Sequence, residues 1–128
     1  MRYITMDEFL MNRITLAELT PELLGNANTT VPAANELLDR FGEFRGCNSG
    51  YRSPEDQMRI NPSAPKSKHM LCAAIDLEDK DNKLKTWCLA NLQVLEELGL
   101  YMEHPNSTPT WIHVQIVAPH SGNRVFKP

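Results

Sequence analysis

At 128 residues, 41% hydrophobic and 23% charged, the chain suits one compact domain with a real core and is too short for two. This composition excludes wholesale disorder, and no apolar run approaches the roughly 20 residues of a membrane-spanning helix. A net charge of −3, a pI near 5.8 and the lack of a basic stripe argue against duplex nucleic acid as a partner.

The opening stretch "MRYITMDEFLMNR" carries acids where a secretory signal needs a basic end and an apolar run, so a cytoplasmic product is expected until something releases it. Within it "DEFLMNR" predicts a short helical turn, and "LAELTPELLGNA" a second, interrupted by Pro21. "TTVPAANELLDRFGEF" predicts a helix capped by Thr29 or Thr30, with Pro32 in its first turn, Gly42 as its stop, and Ala34, Leu37, Leu38 and Phe41 as its apolar face. "SPEDQMRI" opens with Ser53 as cap, Pro54 at the first position and two acids, a helix start. "DNKLKTWCLANLQVLEELG" is the clearest helix, with Leu84, Trp87, Cys88, Leu92, Leu95 and Leu98 at helical spacing and Gly99 as terminator. "LYMEH" and "TWIHVQIV" follow as two strands of a hairpin around the five-residue loop "PNSTP". The expectation is an α+β domain, helices first and an antiparallel sheet late. Cys47, Cys72 and Cys88 are odd in number and lack CxxC spacing, which supports neither a disulfide framework nor a zinc ribbon.

"PKSKHMLCAAIDLE" raises a sharper question, because Asp76 follows Ala73, Ala74 and Ile75 in a segment that reads as buried. A buried acid needs a partner. Extended chain would hold His69 and Asp76 roughly 23 Å apart, and two helical turns about 10 Å, so the two can share an ion only if the chain reverses. "MLC" would then be the bend and "AAIDL" the returning strand. His113 lies in "TWIHVQIV", where Trp111, His113 and Gln115 share one strand face. Two imidazoles and one carboxylate with an open fourth position form the donor set of catalytic rather than structural zinc. The alternative is two ordinary partly buried histidines and an aspartate capping a turn.

"SKHMLCAAID" resembles the S-x-H-x-x-G-x-A-x-D motif of the zinc D-alanyl-D-alanine carboxypeptidase family, which includes D,D-dipeptidases and phage L-alanyl-D-glutamate endolysins and shares its fold with the Hedgehog signalling domain. Ser67, His69, Ala74 and Asp76 match, and Cys72 stands where the family has glycine. "SGYRS" at 49–53 resembles the family's upstream motif and "WIHVQ" at 111–115 its second histidine motif, while "LAELTPELLGNANT" and "PHSGNRVFKP" resemble stretches of small phage and bacterial members.

The resemblance implies an antiparallel sheet flanked by helices over residues 1–128. It also implies zinc held by His69, Asp76 and His113, and hydrolysis of a peptidoglycan peptide by a monomer released to the wall or carried in a virion. Many relatives have an acid three residues before the second histidine, but here that residue is Thr110, which cannot take a proton. Glu103 is the nearest acid; paired opposite Trp111, it would face the His113 side, whereas a register slipped by one would present His104. Arg52 resembles the family arginine that holds a substrate carboxylate or oxyanion, or else tethers the helix beginning at Ser53. Tyr51 is a substrate contact or a packing residue, Ser67 steadies the His69 loop or is a turn residue, and Gln115 backs an imidazole or points outward. Cys72 is expected to be a buried structural thiol, His120 a loop residue and Trp87 core. A second reading is a fold relative that keeps its metal but only binds; an acid beside the metal would favour the enzyme.

Overall fold

The computed structural model describes residues 2–128. Helix α1 (Met6–Leu10) is closed by a capping box between Thr5 and Glu8, and a 3-10 turn, Leu16–Glu18, precedes α2 (Pro21–Phe41). Thr20 caps α2 and Pro21 occupies its first turn, so the chain breaks before Pro21 and restarts on it. Thr29, Thr30 and Pro32 are therefore not a helix start but lie inside α2. An interior proline costs about 3 kcal/mol, and here the buried face of Ala27, Thr30, Val31, Ala34, Leu37 and Leu38 outweighs it. The Thr30 hydroxyl does not cap a helix; it donates to the Cys72 carbonyl at 2.8 Å.

Ser53 caps α3 (Pro54–Ile60) and Gly42 ends α2 in a left-handed turn, both as the sequence predicts. The long helix expected after Asp81 is two, α4 (Lys83–Ala90) and α5 (Leu92–Leu98), broken at Asn91, whose side-chain Nδ2 donates to the Trp87 carbonyl. The break leaves Leu92 39% exposed, off the core face the periodicity assigned to it.

Strands β1 (Cys47–Ser49), β2 (Ala74–Glu78), β3 (Tyr101–Glu103), β4 (Trp111–Gln115) and β5 (Val125–Phe126) form a sheet of order β1-β2-β4-β3-β5. Its pairs are antiparallel except β3–β5, which is parallel, so the sheet is mixed rather than purely antiparallel. The α+β architecture itself is as expected. The β3–β4 connection is longer than "PNSTP", running from His104 to Thr110 around a 3-10 turn at Pro105–Ser107.

The pairing of β2 with β4 divides the sheet into two chemically opposite faces. Ile75 opposes Val114 and Leu77 opposes Ile112; with Met102 opposite Val114, these fully buried side chains join Leu37, Leu38, Leu84, Leu95 and Leu100 in the core. On the other face Asp76 opposes His113 and Ala74 opposes Gln115. That face carries the polar residues. Among the described residues no helix is long and apolar enough to cross a membrane.

Candidate metal centre

Asp76 sits in the middle of β2, and its Oδ1 lies 2.9 Å from His113 Nδ1 and 3.2 Å from His69 Nε2. His69 comes from a 3-10 turn, Lys68–Leu71, capped by Ser67, whose hydroxyl accepts from the His69 amide at 3.3 Å. The turn ends at Cys72 in a left-handed conformation (φ 56°), and β2 begins two residues later, so the predicted reversal between His69 and Asp76 is present. A left-handed position suits the glycine of the family motif. Cys72 fills it as a fully buried thiol that burial pushes up to about 11. From behind, α2 holds this turn through Asn26 to the Leu71 carbonyl and Thr30 to the Cys72 carbonyl.

Both imidazoles are oriented by groups that can only accept a hydrogen bond. His69 Nδ1 lies 2.8 Å from the Gly50 carbonyl and therefore carries its proton there, leaving Nε2 as a lone pair facing Asp76. His113 Nε2 donates to Gln115 Oε1 at 2.8 Å, and the Gln115 amide is itself fixed by donating to the Val117 carbonyl. His113 Nδ1 is then the lone pair toward Asp76. Two nitrogen lone pairs and a carboxylate oxygen aimed at one point form a cation's donor set, and each imidazole has the supporting acceptor that metal-bound histidines need. The three ligand atoms lie within 4.8 Å of one another, and all three residues are buried.

A proton competes for the same point: burial lowers the His113 pKa, but its hydrogen bonds to Asp76 and Gln115 outweigh burial and raise it. Burial alone would raise the Asp76 carboxyl, but the imidazoles of His69 and His113 outweigh it and hold it well below the usual range. Burial lowers the His69 pKa, which disfavours imidazolium there.

A cleft of about 1130 Å³ opens onto the centre, with Trp111, Phe126, Ile60, Lys66 and Lys68 among its walls. Glu103 also lines it, its Oε2 3.9 Å from His113 Nδ1. The predicted pairing of Glu103 opposite Trp111 is corrected: Tyr101 opposes Gln115 and Met102 opposes Val114, a register that carries on to set Glu103 against His113. Burial raises the Glu103 pKa, partly countered by His113 and Arg52. His104 turns away, its Nδ1 accepting from the Asn106 amide and capping the 3-10 turn. Thr110 is exposed, and its carbonyl accepts from the Asp79 amide.

Arg52, 8% exposed, bonds Ser49 Oγ through Nε, Gln57 Oε1 through Nη1 and Asp76 Oδ2 through Nη2 at 3.3 Å. Tyr51 is buried in the core cluster. His120 belongs to the loop after β4 and reaches the cleft wall. Sequence reasoning missed Gln57 and Gly50: Gln57 belongs to no motif, and Gly50, within "SGYRS", contributes a backbone carbonyl, which residue type does not announce.

A His–Asp–His donor set on the polar face of a helix-flanked sheet, open to a cleft, is an arrangement that can hold one metal ion. The family model for Peptidase M15 matches residues 4–115, and the chain belongs to that family, a group of metallopeptidases. No curated protein matches the chain.

Proposed function

We propose that the protein is a zinc-dependent peptidase that hydrolyses amide bonds in peptidoglycan stem peptides, of D,D-carboxypeptidase or L-alanyl-D-glutamate endopeptidase type, in the setting of a phage or prophage lysin. The observation that carries this reading is the pair of imidazole lone pairs converging on Asp76 Oδ1. His69, Asp76 and His113 would hold the ion, which when bound supplies Lewis acidity toward a scissile carbonyl and an acidified water.

The chain's own residues supply the rest. Glu103 is the proton acceptor: it shares the cleft, lies beside His113, and is the carboxylate there not already bonded to Arg52. It takes the proton of the attacking water and returns it to the leaving amine. This acid also favours a peptidase over a relative that only binds. Three nitrogens of Arg52 are engaged, so its main work is positioning Asp76 and α3, with its Nη2 end offering charge to a substrate carboxylate. Ser67 and Gln115 orient His69 and His113 respectively.

The test is incubation of zinc-loaded protein with purified sacculi and synthetic stem peptides, reading new termini by mass spectrometry. New D-Ala or D-Glu termini that vanish in Glu103→Gln support the proposal. Intact sacculi and intact stem peptides under zinc-replete conditions overturn it.

A further inference from the structure

Residues 50–52 are bonded on two sides. Toward the metal centre, the Gly50 carbonyl accepts from His69 Nδ1 at 2.8 Å, the Arg52 amide donates to the His69 carbonyl at 3.2 Å, and the Arg52 side chain reaches Asp76. Away from it, Gly50 and Tyr51 meet the segment that ends α1. The Gly50 amide points at Met11 Sδ at 3.1 Å, the Tyr51 amide donates to the Phe9 carbonyl at 2.9 Å, and Arg13 Nη1 donates to the Tyr51 carbonyl at 2.8 Å. The approach is so close that a Cβ on Gly50 would run into the Phe9 carbonyl oxygen and lie 2.8 Å from both Phe9 C and Phe9 Cδ1. Backbone cannot yield there as a side-chain tip would. Met11 and Asn12 are consecutive non-glycine residues in the left-handed region (φ 56° and 57°), a conformation that costs free energy and marks a segment held in place by its surroundings.

We propose that Phe9–Arg13 is the outer mount of the metal centre, and that Met11 and Gly50 are positioning residues for the ligand His69. The mechanism is a relay of fixed hydrogen bonds. Phe9, Met11 and Arg13 set the height of the 50–52 backbone, the Gly50 carbonyl then fixes the His69 tautomer and ring plane, and Nε2 is left unprotonated toward Asp76. Two features follow. Glycine is required at position 50 by space, not by turn geometry, and thioether sulfur at position 11 serves as a hydrogen-bond acceptor for a buried amide as well as filler. The inference rests on the metal-site reading, extending it some two layers outward from the ion.

The test measures zinc affinity by chelator competition, together with the melting temperature and the His69 ring 15N signals of the metal-free protein. Met11→Leu keeps volume and apolarity but removes the acceptor. It should leave the metal-free melting temperature within a few degrees of wild type while weakening zinc affinity by roughly 10-fold. Gly50→Ala should weaken it by roughly 100-fold, and its ring signals should lose the single Nδ1-protonated tautomer expected for wild type. If Gly50→Ala does not fold, Met11→Leu alone decides. Wild-type zinc affinity in a folded Met11→Leu, with His69→Ala losing zinc, overturns the mount and leaves the metal site standing. Zinc retained by His69→Ala overturns the metal-site reading and the mount with it.

Discussion

Two buried aspartates stand three positions apart on the same stretch of chain, and their surroundings differ in kind. Asp79, just past β2 and fully buried, accepts from the Leu84 and Lys85 amides at 2.9 Å each and from Arg45 at 3.2 Å, while its own amide donates to the Thr110 carbonyl. Lys85, also buried, donates from its ammonium to the carbonyls of Thr108 and Trp111. Every partner of Asp79 is a donor that does not let go of its proton near neutrality. Asp76 faces two imidazole lone pairs and one long arginine bond. A carboxylate saturated by N–H groups is an anchor, and one confronted by lone pairs is half of a cation site. The two divide the labour along β4, where the Asp79–Lys85 cluster fixes its start at Trp111 and Asp76 meets its centre at His113.

The sharpest way to break this comparison is to strip each aspartate of its role. His69→Ala, Asp76→Ala and His113→Ala should each lose nearly all bound zinc, whereas Asp79→Asn should keep it. Metal analysis finding near-stoichiometric zinc in all three ligand variants would sink the distinction. Asp79→Ala should instead cost roughly 3–5 kcal/mol of unfolding free energy in denaturant titration, because it removes the acceptor of the buried Leu84 and Lys85 amides and the carboxylate nearest the buried Lys85 ammonium. An unchanged midpoint would show that Asp79 anchors nothing.

Within the metal centre, Glu103→Gln should retain zinc and fold but lose at least about 100-fold in turnover. His104→Ala and Thr110→Val should stay near wild type. A dead His104→Ala beside an active Glu103→Gln would move the proton acceptor to the histidine. Arg52→Lys keeps the charge but cannot reach Ser49, Gln57 and Asp76 together, so catalytic efficiency should fall by roughly 10-fold with zinc content held. A parallel fall in melting temperature would assign Arg52 mainly to tethering α3.

The smallest effect belongs to the rim of the Asp79 cluster. The hydrogen bonds from Arg45 and then the Lys83 amide lower the Asp81 pKa from 3.8 to about 2. A depressed folded-state pKa contributes stability above the unfolded value that is lost as pH falls through the folded one. Wild type should therefore lose a small increment between about pH 4 and pH 2 that Asp81→Asn lacks. Identical acid profiles for the two would mean that the exposed Asp81 carboxylate contributes nothing.

Much of the centre was legible before any fold was known, because its information is local. His69, the bend and Asp76 lie within eight consecutive residues, and strand alternation alone put His113 and Gln115 on one face. Helix starts at Ser53 and stops at Gly42 and Gly99 follow from capping chemistry that needs no distant partner. Other features depend on distant contacts. β1 and β5 have three and two residues, too few for any periodicity to register. Local rules start a helix near Pro32, yet α2 runs through it because a buried face over its whole length outweighs one proline. Helical spacing nominated Leu92 for the core, and the break at Asn91 turned it outward.

What the sequence by itself determined is the donor set and the chemistry it can support, since residue type and short spacing dictate which atoms can meet a cation. Only the tertiary structure decided which acid stands beside it. The β3–β4 register depends on how seven connecting residues fold around a 3-10 turn and on where Lys85 grips their carbonyls, and a shift of two residues there would carry Glu103 away from His113. The need for glycine at position 50 likewise comes from Phe9, 41 residues earlier in the chain, and only folding brings that carbonyl against it.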